Sequence, residues 1–385
     1  MRVVVDQDLH LEKTAIPPEW ELLKREGRAI NNGDVQDADA LLVRSVTKVD
    51  EALLANSRIR FVGTATSGLN HIDRAYLQAN NIRLADAAGS NANAVADYCL
   101  AALAYCVLHR GLDLGKARIG IIGAGHVGGL LANKLNRLGL QPLICDPPLQ
   151  QTLKGIAVSD APKRFSSLEE VATCDVLSLH VPLNETGQHA TREMIDEKIL
   201  SSMPVEGVVI NSSRGEVIDE QALRAHLQSN PRFTAVLDVW HNEPMLNADT
   251  LRLAHIATPH IAGYSARAKD EAARRIVDAL AEFAGVEAVD TAPSASGKTG
   301  QTVDPMQDTA AIDPGNKQAW KRVQENLDLP ELSSQFRQVY AGGHEKQAFD
   351  AMRKSLSSRL EFCETQLGAV AATEAGFLRA LGFRV

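Results

Sequence analysis

The sequence predicts an α/β protein built on two doubly wound parallel sheets, and three observations support this fold class. Short apolar runs typical of strands alternate with helical stretches from the N-terminus to about residue 285. Strands separated by helices form parallel sheets whose two faces are covered. A glycine-rich segment, GAGHVG, joins one of these strands to a helix. The composition, 45% apolar and 23% charged over 385 residues, is ordinary for globular domains.

The first sheet is expected within residues 1–95. Helical character is expected at 18–26 and 49–56, between the strands. The apolar runs that predict strands are 2–5, 40–43, 61–63 and 82–84.

The second sheet is expected after a long apolar helix at residues 93–109. Six strands are the number of a doubly wound, Rossmann-like dinucleotide fold. The strand candidates are 117–123, 142–145, 176–180, 208–211, 235–239 and 256–258.

The C-terminal part has a different character. Residues 291–315 are rich in Ser, Thr, Gly, Pro and Asp, which predicts an extended linker. Beyond it, Phe349, Met352, Leu356 and Leu360 recur at helical spacing and predict an amphipathic helix. The last residues would form a small appended domain, which is marginal alone and needs a surface to pack on.

Composition argues against several classes of protein. The formal charge is −8, whereas nucleic-acid binders usually carry a basic surplus. The longest apolar run, 98–108, is shorter than the roughly 20 residues that span a bilayer. The start, MRVVVDQDL, lacks the long apolar stretch of a signal peptide. The five cysteines form no CxxC pair, so we expect reduced thiols, a cytoplasmic location and no metal site.

The GAGHVG segment predicts a dinucleotide site. Gly123 permits a tight turn, Gly125 lets the backbone approach a pyrophosphate, and Gly128 lets helix and strand pack closely. Asp146, 18 residues beyond Gly128, would accept hydrogen bonds from a ribose diol and repel a 2′-phosphate. The expected cofactor is therefore NAD. A glycine-rich turn without a ligand is the alternative.

Three later strand ends carry groups suited to oxidising an alcohol beside a carboxylate. His260 can accept the hydroxyl proton, because histidine titrates near neutral pH. Glu243 can orient that imidazole and stabilise its cation. Arg214 offers a planar fork for a carboxylate. Taken singly, a structural histidine and a surface arginine are the ordinary alternatives.

These pieces together resemble the D-isomer-specific 2-hydroxyacid dehydrogenases: GAGHVG, the Asn-x-Ser-Arg-Gly segment from Asn211, DVWHNEP and TPHIAG. The resemblance implies two domains with a cleft between them. A substrate domain would take residues 1–95 and 265–288, and an NAD-binding domain residues 96–264. Residues 289–385 would form the linker and an α+β dimerisation domain, so a homodimer is implied.

A closer resemblance is to members of this family that oxidise a phosphorylated 2-hydroxy acid. It is carried by LLVRSVTKVDEALL, FVGTATSGLNHID, ICDPP and HIAGYS. It implies that Ser45, Thr66 and Tyr264 hold the substrate. The residues implied to face the cofactor, besides Gly123, Gly125, Gly128 and Asp146, are His126, Val127, Val181, Ser212, Ser213, Arg214, Asp238 and Gly263.

The chain departs from that pattern without losing a catalytic group. Ser90 and Ser213 stand where cysteine is expected, Asn70 where aspartate is expected, and Ala124 where valine is expected.

Two points stay open. The substrate phosphate needs a cationic partner, and Arg44, Arg267 and Lys269 are candidates. The alternatives for function are another dehydrogenase of the same class, acting on a phosphoglycerate, hydroxypyruvate or lactate type of acid, and an NAD-sensing binding protein on the same fold.

Overall fold

The computed structural model describes residues 1–154, 164–286, 312–341 and 345–385. The predicted linker, 291–315, lies outside the described residues except for its last four positions. The chain divides into two compact units. The first unit contains Met1–Asn91 and residues 266–286, and the second contains Ala92–Ser265 and the described residues from 312 onward.

Within the described ranges the strands are β1 Arg2–Asp6, β2 Glu21–Arg25, β3 Ala40–Val43, β4 Phe61–Thr64, β5 Arg83–Asp86, β6 Ile119–Ile122, β7 Leu143–Cys145, β8 Val176–Leu179, β9 Val208–Asn211, β10 Thr234–Leu237 and β11 Ile256–Ala257. The α-helices are α1 Asn32–Val35, α2 Glu51–Leu54, α3 Arg74–Ala79, α4 Ala92–His109, α5 His126–Arg137, α6 Pro147–Thr152, α7 Leu168–Val171, α8 Glu197–Ser202, α9 Glu220–Ser229, α10 Ala248–Leu253, α11 Ala266–Ala284, α12 Lys317–Asn326, α13 Leu329–Tyr340, α14 Glu345–Ser355 and α15 Ala372–Leu381.

The first unit is a five-stranded parallel sheet in the order β2-β1-β3-β4-β5. One face packs on α11, whose Ile276 and Leu280 join Val3 and Phe61 in a buried cluster. The helix expected at 18–26 is wrong, because residues 21–25 form the edge strand β2. Pairing of that backbone with β1 outweighs the helical propensity of Glu, Leu and Lys there.

The second unit is a six-stranded parallel sheet in the order β11-β10-β9-β8-β6-β7, which confirms the predicted strand number for the described residues. Its core is built around α4. By length and composition α4 could cross a membrane, but 78% of it is buried inside the protein. We therefore assign α4 as a core helix of the second unit.

The C-terminal residues do not form a unit of their own. Trp320, Phe362 and Phe377 are fully buried in the same cluster as the side chains of α4. The expected α+β character is also corrected, because the described part is helical apart from one isolated bridge between Gln366 and Arg384. The segment lacks enough apolar surface for a separate core, and it completes the core of the second unit instead.

The predicted amphipathic helix is found as α14 and a following 3-10 turn, Leu356–Ser358. Phe349 and Met352 are buried, whereas Leu360 is 55% exposed.

A buried polar network fastens this C-terminal segment to the rest of the second unit. The ammonium of Lys134, on α5, donates to Asp97 on α4 at 2.8 Å and to the carbonyl of Leu381 at 2.7 Å. The second oxygen of Asp97 accepts the backbone N–H of Phe362 at 2.8 Å. Both charged side chains are almost fully buried, and each is compensated by the other and by backbone groups.

Replacing Lys134 by Met should destabilise the protein by about 3–5 kcal/mol, because it leaves the Asp97 carboxylate buried without its cation. Urea denaturation measures the free energy of unfolding. The control is Lys116→Met, which removes an ion pair with Asp113 in which Lys116 is 86% exposed. Because solvent screens this pair, the variant should unfold at nearly the same urea concentration as the native chain. Equal losses in the two variants would contradict this account of the network.

Candidate active site

The glycine loop after β6 has the backbone that the motif predicts. Gly123 has φ +87°, which only glycine adopts at little cost, and a Cβ there would lie 2.5 Å from the carbonyl oxygen of His180. A Cβ at Gly128 would lie 1.9 Å from the carbonyl oxygen of Gly123. Gly125 precedes α5 and faces open space. The exposed N-terminus of α5 is thus available to an anion.

Asp146 lies at the carboxyl end of β7, the strand next to β6. One carboxylate oxygen accepts the N–H of Ala124, in the glycine loop, at 2.8 Å. The other accepts the N–H of Leu149 at 2.9 Å and so caps α6. The partly buried acid is therefore held against the loop, as its predicted role toward a ribose requires.

Asn211 shapes the loop after β9. Its side-chain oxygen accepts the N–H and the hydroxyl of Ser213, and its amide nitrogen donates to the carbonyl of Arg214 at 2.9 Å. A Cβ at Gly215 would lie 2.0 Å from the backbone of Trp240. The Asn-x-Ser-Arg-Gly pattern therefore reflects a tight loop that packs on the segment following β10.

Asp238, at the end of β10, holds the segment that contains His260. Its carboxylate accepts the hydroxyl of Thr258 at 2.6 Å and the backbone N–H groups of Ile261 and Ala262, both at 2.8 Å. Tyr98 bonds the Thr258 hydroxyl at 2.7 Å. Burial raises the pKa of Asp238, against the opposing effects of the His260 charge and these hydrogen bonds.

The contacts of Asp238 show what its side chain does within the chain. Its carboxylate is buried, and its two oxygens accept hydrogen bonds from residues on either side of His260. These bonds fix the backbone on both sides of His260, and the role toward the cofactor that the resemblance implies stays a prediction.

His260 and Glu243 form the pair that the sequence predicts. The Nδ1 atom of His260 lies 2.8 Å from Oε2 of Glu243, whose other oxygen accepts the N–H of Trp240 at 2.9 Å. Burial acts to raise the pKa of Glu243, but the charge of His260 and these hydrogen bonds outweigh it and lower the pKa. The carboxylate thus stays ionised, and the Nε2 atom of the imidazole is left for chemistry.

Arg214 belongs to the same neighbourhood. Burial lowers the pKa of its guanidinium, and the charges of Glu243 and Glu216 act in the opposite direction. One of its nitrogens donates to the carbonyl of Ser213 at 2.6 Å. Glu243 therefore interacts with the imidazole through a hydrogen bond and with the guanidinium through its charge.

Other predicted cofactor residues surround this arrangement in the second unit. Val181 follows β8 and would meet a Cβ on Gly123 at 2.9 Å. The Ser212 hydroxyl lies 3.6 Å from the thiol of Cys99. His126 opens α5 and Val127 follows it, while Gly263 lies in the turn after Ala262.

The predicted substrate residues fall in both units. Ser45 and Thr66 follow β3 and β4, which pair in parallel, so they lie at one edge of the first sheet. Thr66 bonds Thr64 at 2.9 Å and donates to the carbonyl of Gly68. Tyr264 follows the His260 segment of the second unit.

Of the cations considered for the phosphate, Arg44 is engaged elsewhere. It bonds both carboxylate oxygens of Asp6, and Asp8 at 2.7 Å. Arg267 and Lys269 lie on α11 of the first unit.

Sequence reasoning missed the contribution of the C-terminal segment. Arg359 donates to the carbonyls of Tyr264, Ala262 and Ala94 at 2.7, 2.8 and 3.2 Å. Glu361 accepts the hydroxyl of Ser265 at 2.7 Å. No motif marks these residues, since their importance depends on contacts with residues about 95 positions away.

The chain is similar to proteins of known activity. Residues 107–262 match the D-isomer specific 2-hydroxyacid dehydrogenase, NAD binding domain. The chain is 43% identical over 287 residues to an erythronate-4-phosphate dehydrogenase of Marinobacter nauticus, covering 74% of this chain and 73% of the relative. It is 37% identical over 386 residues to that of Teredinibacter turnerae, covering 100% and 98%.

Solved structures show the same fold. A D-lactate dehydrogenase from Aquifex aeolicus, complexed with NAD and lactic acid, aligns with a TM-score of 0.59 at 23% identity, over 74% of this chain and 95% of that one. A cofactor-bound 3-phosphoglycerate dehydrogenase of Entamoeba histolytica aligns with a TM-score of 0.58 at 21% identity, over the same shares.

His180, beside the glycine loop, should make stability depend on pH. Burial lowers its pKa from 6.5 to about 4. The unfolded chain binds this proton more readily than the folded chain does. The stability contribution of the neutral His180 is therefore fully present above pH 6.5, and the free energy of unfolding falls by about 3 kcal/mol as the pH drops toward 4. Urea denaturation between pH 7 and 4.5 should show a shallower loss for His180→Gln than for the native chain. Parallel curves would refute this.

Proposed function

Because this chain belongs to the family of erythronate-4-phosphate dehydrogenases, within the D-isomer-specific 2-hydroxyacid dehydrogenases, we propose that it works through His260 as base, with Glu243 behind it and Arg214 on the substrate carboxylate. The activity is the NAD-dependent oxidation of 4-phospho-D-erythronate to 3-hydroxy-2-oxo-4-phosphobutanoate, in de novo pyridoxal 5′-phosphate biosynthesis. The observation that carries the assignment of residues is the 2.8 Å contact between His260 and Glu243, with Arg214 coupled to the same carboxylate.

The residues present fit NAD. The close packing of Gly128 on Gly123, the open space at Gly125 and the free N-terminus of α5 form a cradle for a pyrophosphate. Asp146, held beside that cradle, suits a ribose diol. When bound, NAD supplies the acceptor for the hydride that leaves C2 of the substrate.

His260 would accept the proton of the C2 hydroxyl at Nε2, because Nδ1 is committed to Glu243. Glu243 fixes the orientation of the ring and stabilises the imidazolium that forms. Its lowered pKa keeps it ionised while it does so.

Arg214 would bind the substrate carboxylate. A guanidinium presents paired N–H groups that match the two oxygens of a carboxylate, so it can also fix the orientation of C2. Its partial burial strengthens this interaction, because less water competes for the charge.

The remaining roles are proposals on the resemblance. Ser45, Thr66 and Tyr264 would hold the substrate. The first unit would serve as the substrate domain and the second as the NAD-binding domain. Val181, Ser212, Ser213, Asp238 and Gly263 would line the cofactor site, with His126 and Val127 at the N-terminus of α5.

We also propose that the protein is a cytoplasmic homodimer. Val339 and Leu360, on the C-terminal segment, are 50% and 55% exposed, and they offer apolar surface to a second copy. Four of the five thiols are buried and none forms a disulfide, which suits a reducing compartment.

A substrate panel tests the function. NADH absorbance should rise with 4-phospho-D-erythronate, and kcat/KM for it should exceed the values for 3-phosphoglycerate, glycerate and D-lactate by at least about 100-fold. A preference for another 2-hydroxy acid would favour a different dehydrogenase of the class. Tight NAD binding without turnover of any acid would favour an NAD-sensing protein.

His260→Ala should lower kcat at least about 100-fold, because the alcohol loses its general base. NAD affinity, measured by fluorescence titration, should stay within about threefold. The residual rate of the variant should depend less on pH than the native rate, which should rise with pH over the range in which histidine titrates. An unchanged pH profile in the variant would show that another group acts as the base.

A further inference from the structure

Arg353, on α14 of the C-terminal segment, reaches the candidate site from a part of the chain that carries no dehydrogenase motif. Its guanidinium carbon lies 4.7 Å from the centre of the Tyr264 ring and 5.7 Å from that of Phe349. The cation therefore packs on the ring of Tyr264, which is four residues after His260 in the sequence.

The guanidinium has hydrogen-bonding capacity left over. Its Nε atom is buried and has no hydrogen-bond partner among the described residues. An unsatisfied buried N–H is costly, and native structures retain one mainly where a ligand, ion or water supplies the acceptor. The aromatic rings support the side chain but offer no oxygen to that N–H.

The charge of Arg353 acts on the Glu243 carboxylate of the proposed catalytic pair. Like the charge of His260, it lowers the pKa of that carboxylate. Glu243 also acts on Arg214, so two guanidinium groups share one carboxylate as a neighbour. The second unit thus presents two cations around the His260–Glu243 pair.

The proposed substrate has two anionic ends, a carboxylate beside C2 and a phosphate on C4. With Arg214 on the carboxylate, the phosphate requires a second cation. Arg359 is not available, since its N–H groups bond the carbonyls of Tyr264, Ala262 and Ala94. Arg44 is bound by Asp6 and Asp8.

We propose that Arg353 binds the phosphate of the substrate, so that the C-terminal segment sets the preference for a phosphorylated acid. This inference rests on the proposed function. A guanidinium held against the Tyr264 ring can donate to phosphate oxygens at little further cost in side-chain entropy.

The experiment compares two substrates that differ only in the phosphate, 4-phospho-D-erythronate and D-erythronate. Arg353→Gln should lower kcat/KM for the phosphorylated acid about 10- to 100-fold and change the value for D-erythronate less than about threefold. Arg353→Lys should recover part of the preference, since lysine binds phosphate as a point charge. The control is Lys354→Gln, which removes an exposed cation at the next position and should preserve the preference.

Equal losses of kcat/KM on both substrates would assign Arg353 a structural role and overturn the inference. An unchanged preference for the phosphorylated acid in Arg353→Gln would also overturn it.

Calorimetric titration of the NAD-loaded protein with inorganic phosphate separates this inference from the proposed function. The native chain should bind phosphate and Arg353→Gln should bind it at least about tenfold more weakly, even if the panel shows no turnover. Equal phosphate affinity in the two proteins would overturn the inference while leaving the dehydrogenase assignment intact.

Discussion

The site depends on one buried carboxylate. Asp238 accepts hydrogen bonds from the Thr258 hydroxyl and from the N–H groups of Ile261 and Ala262, and these interactions offset part of the cost of burying its charge. They also fix the turn in which His260 adopts φ +56°, a left-handed conformation that a residue with a side chain seldom takes. Such strain persists where the surrounding structure over-determines the backbone, and Asp238 supplies that constraint.

The charged groups around the His260–Glu243 pair act on one another. Glu243 hydrogen-bonds the imidazole of His260 and interacts through its charge with the guanidinium groups of Arg214 and Arg353. Cations near a carboxylate keep it ionised, and the pKa of Glu243 is lowered accordingly. A bound substrate with a carboxylate and a phosphate would change this balance, because it brings negative charge to both cations. The electrostatics of the pair are thus coupled to occupancy of the site.

The sequence predicted features whose physical cause is local. The spacing of Gly123, Gly125 and Gly128 follows from one turn, and the pairing of His260 with Glu243 follows from acid–base chemistry. Predictions from the sequence pattern were wrong where contacts between residues far apart in the chain determine the structure. Residues 21–25 have helical propensity, yet β1 draws them into a strand. The C-terminal segment has the composition of an appendage, and only its packing on α4 shows that it completes the core.

Arg359 has a consequence for the synthesis of this protein. Its acceptors include the Tyr264 carbonyl, 95 positions earlier in the chain. At translation speeds of roughly 5–20 residues per second, about 5–20 s pass between the synthesis of Tyr264 and that of Arg359. During that interval a nascent chain has the catalytic side chains and Asp238, but it lacks the guanidinium that bonds the carbonyls of Ala262 and Tyr264. The complete set of hydrogen bonds around the histidine turn therefore forms only late in translation, after Arg359 has been added to the chain.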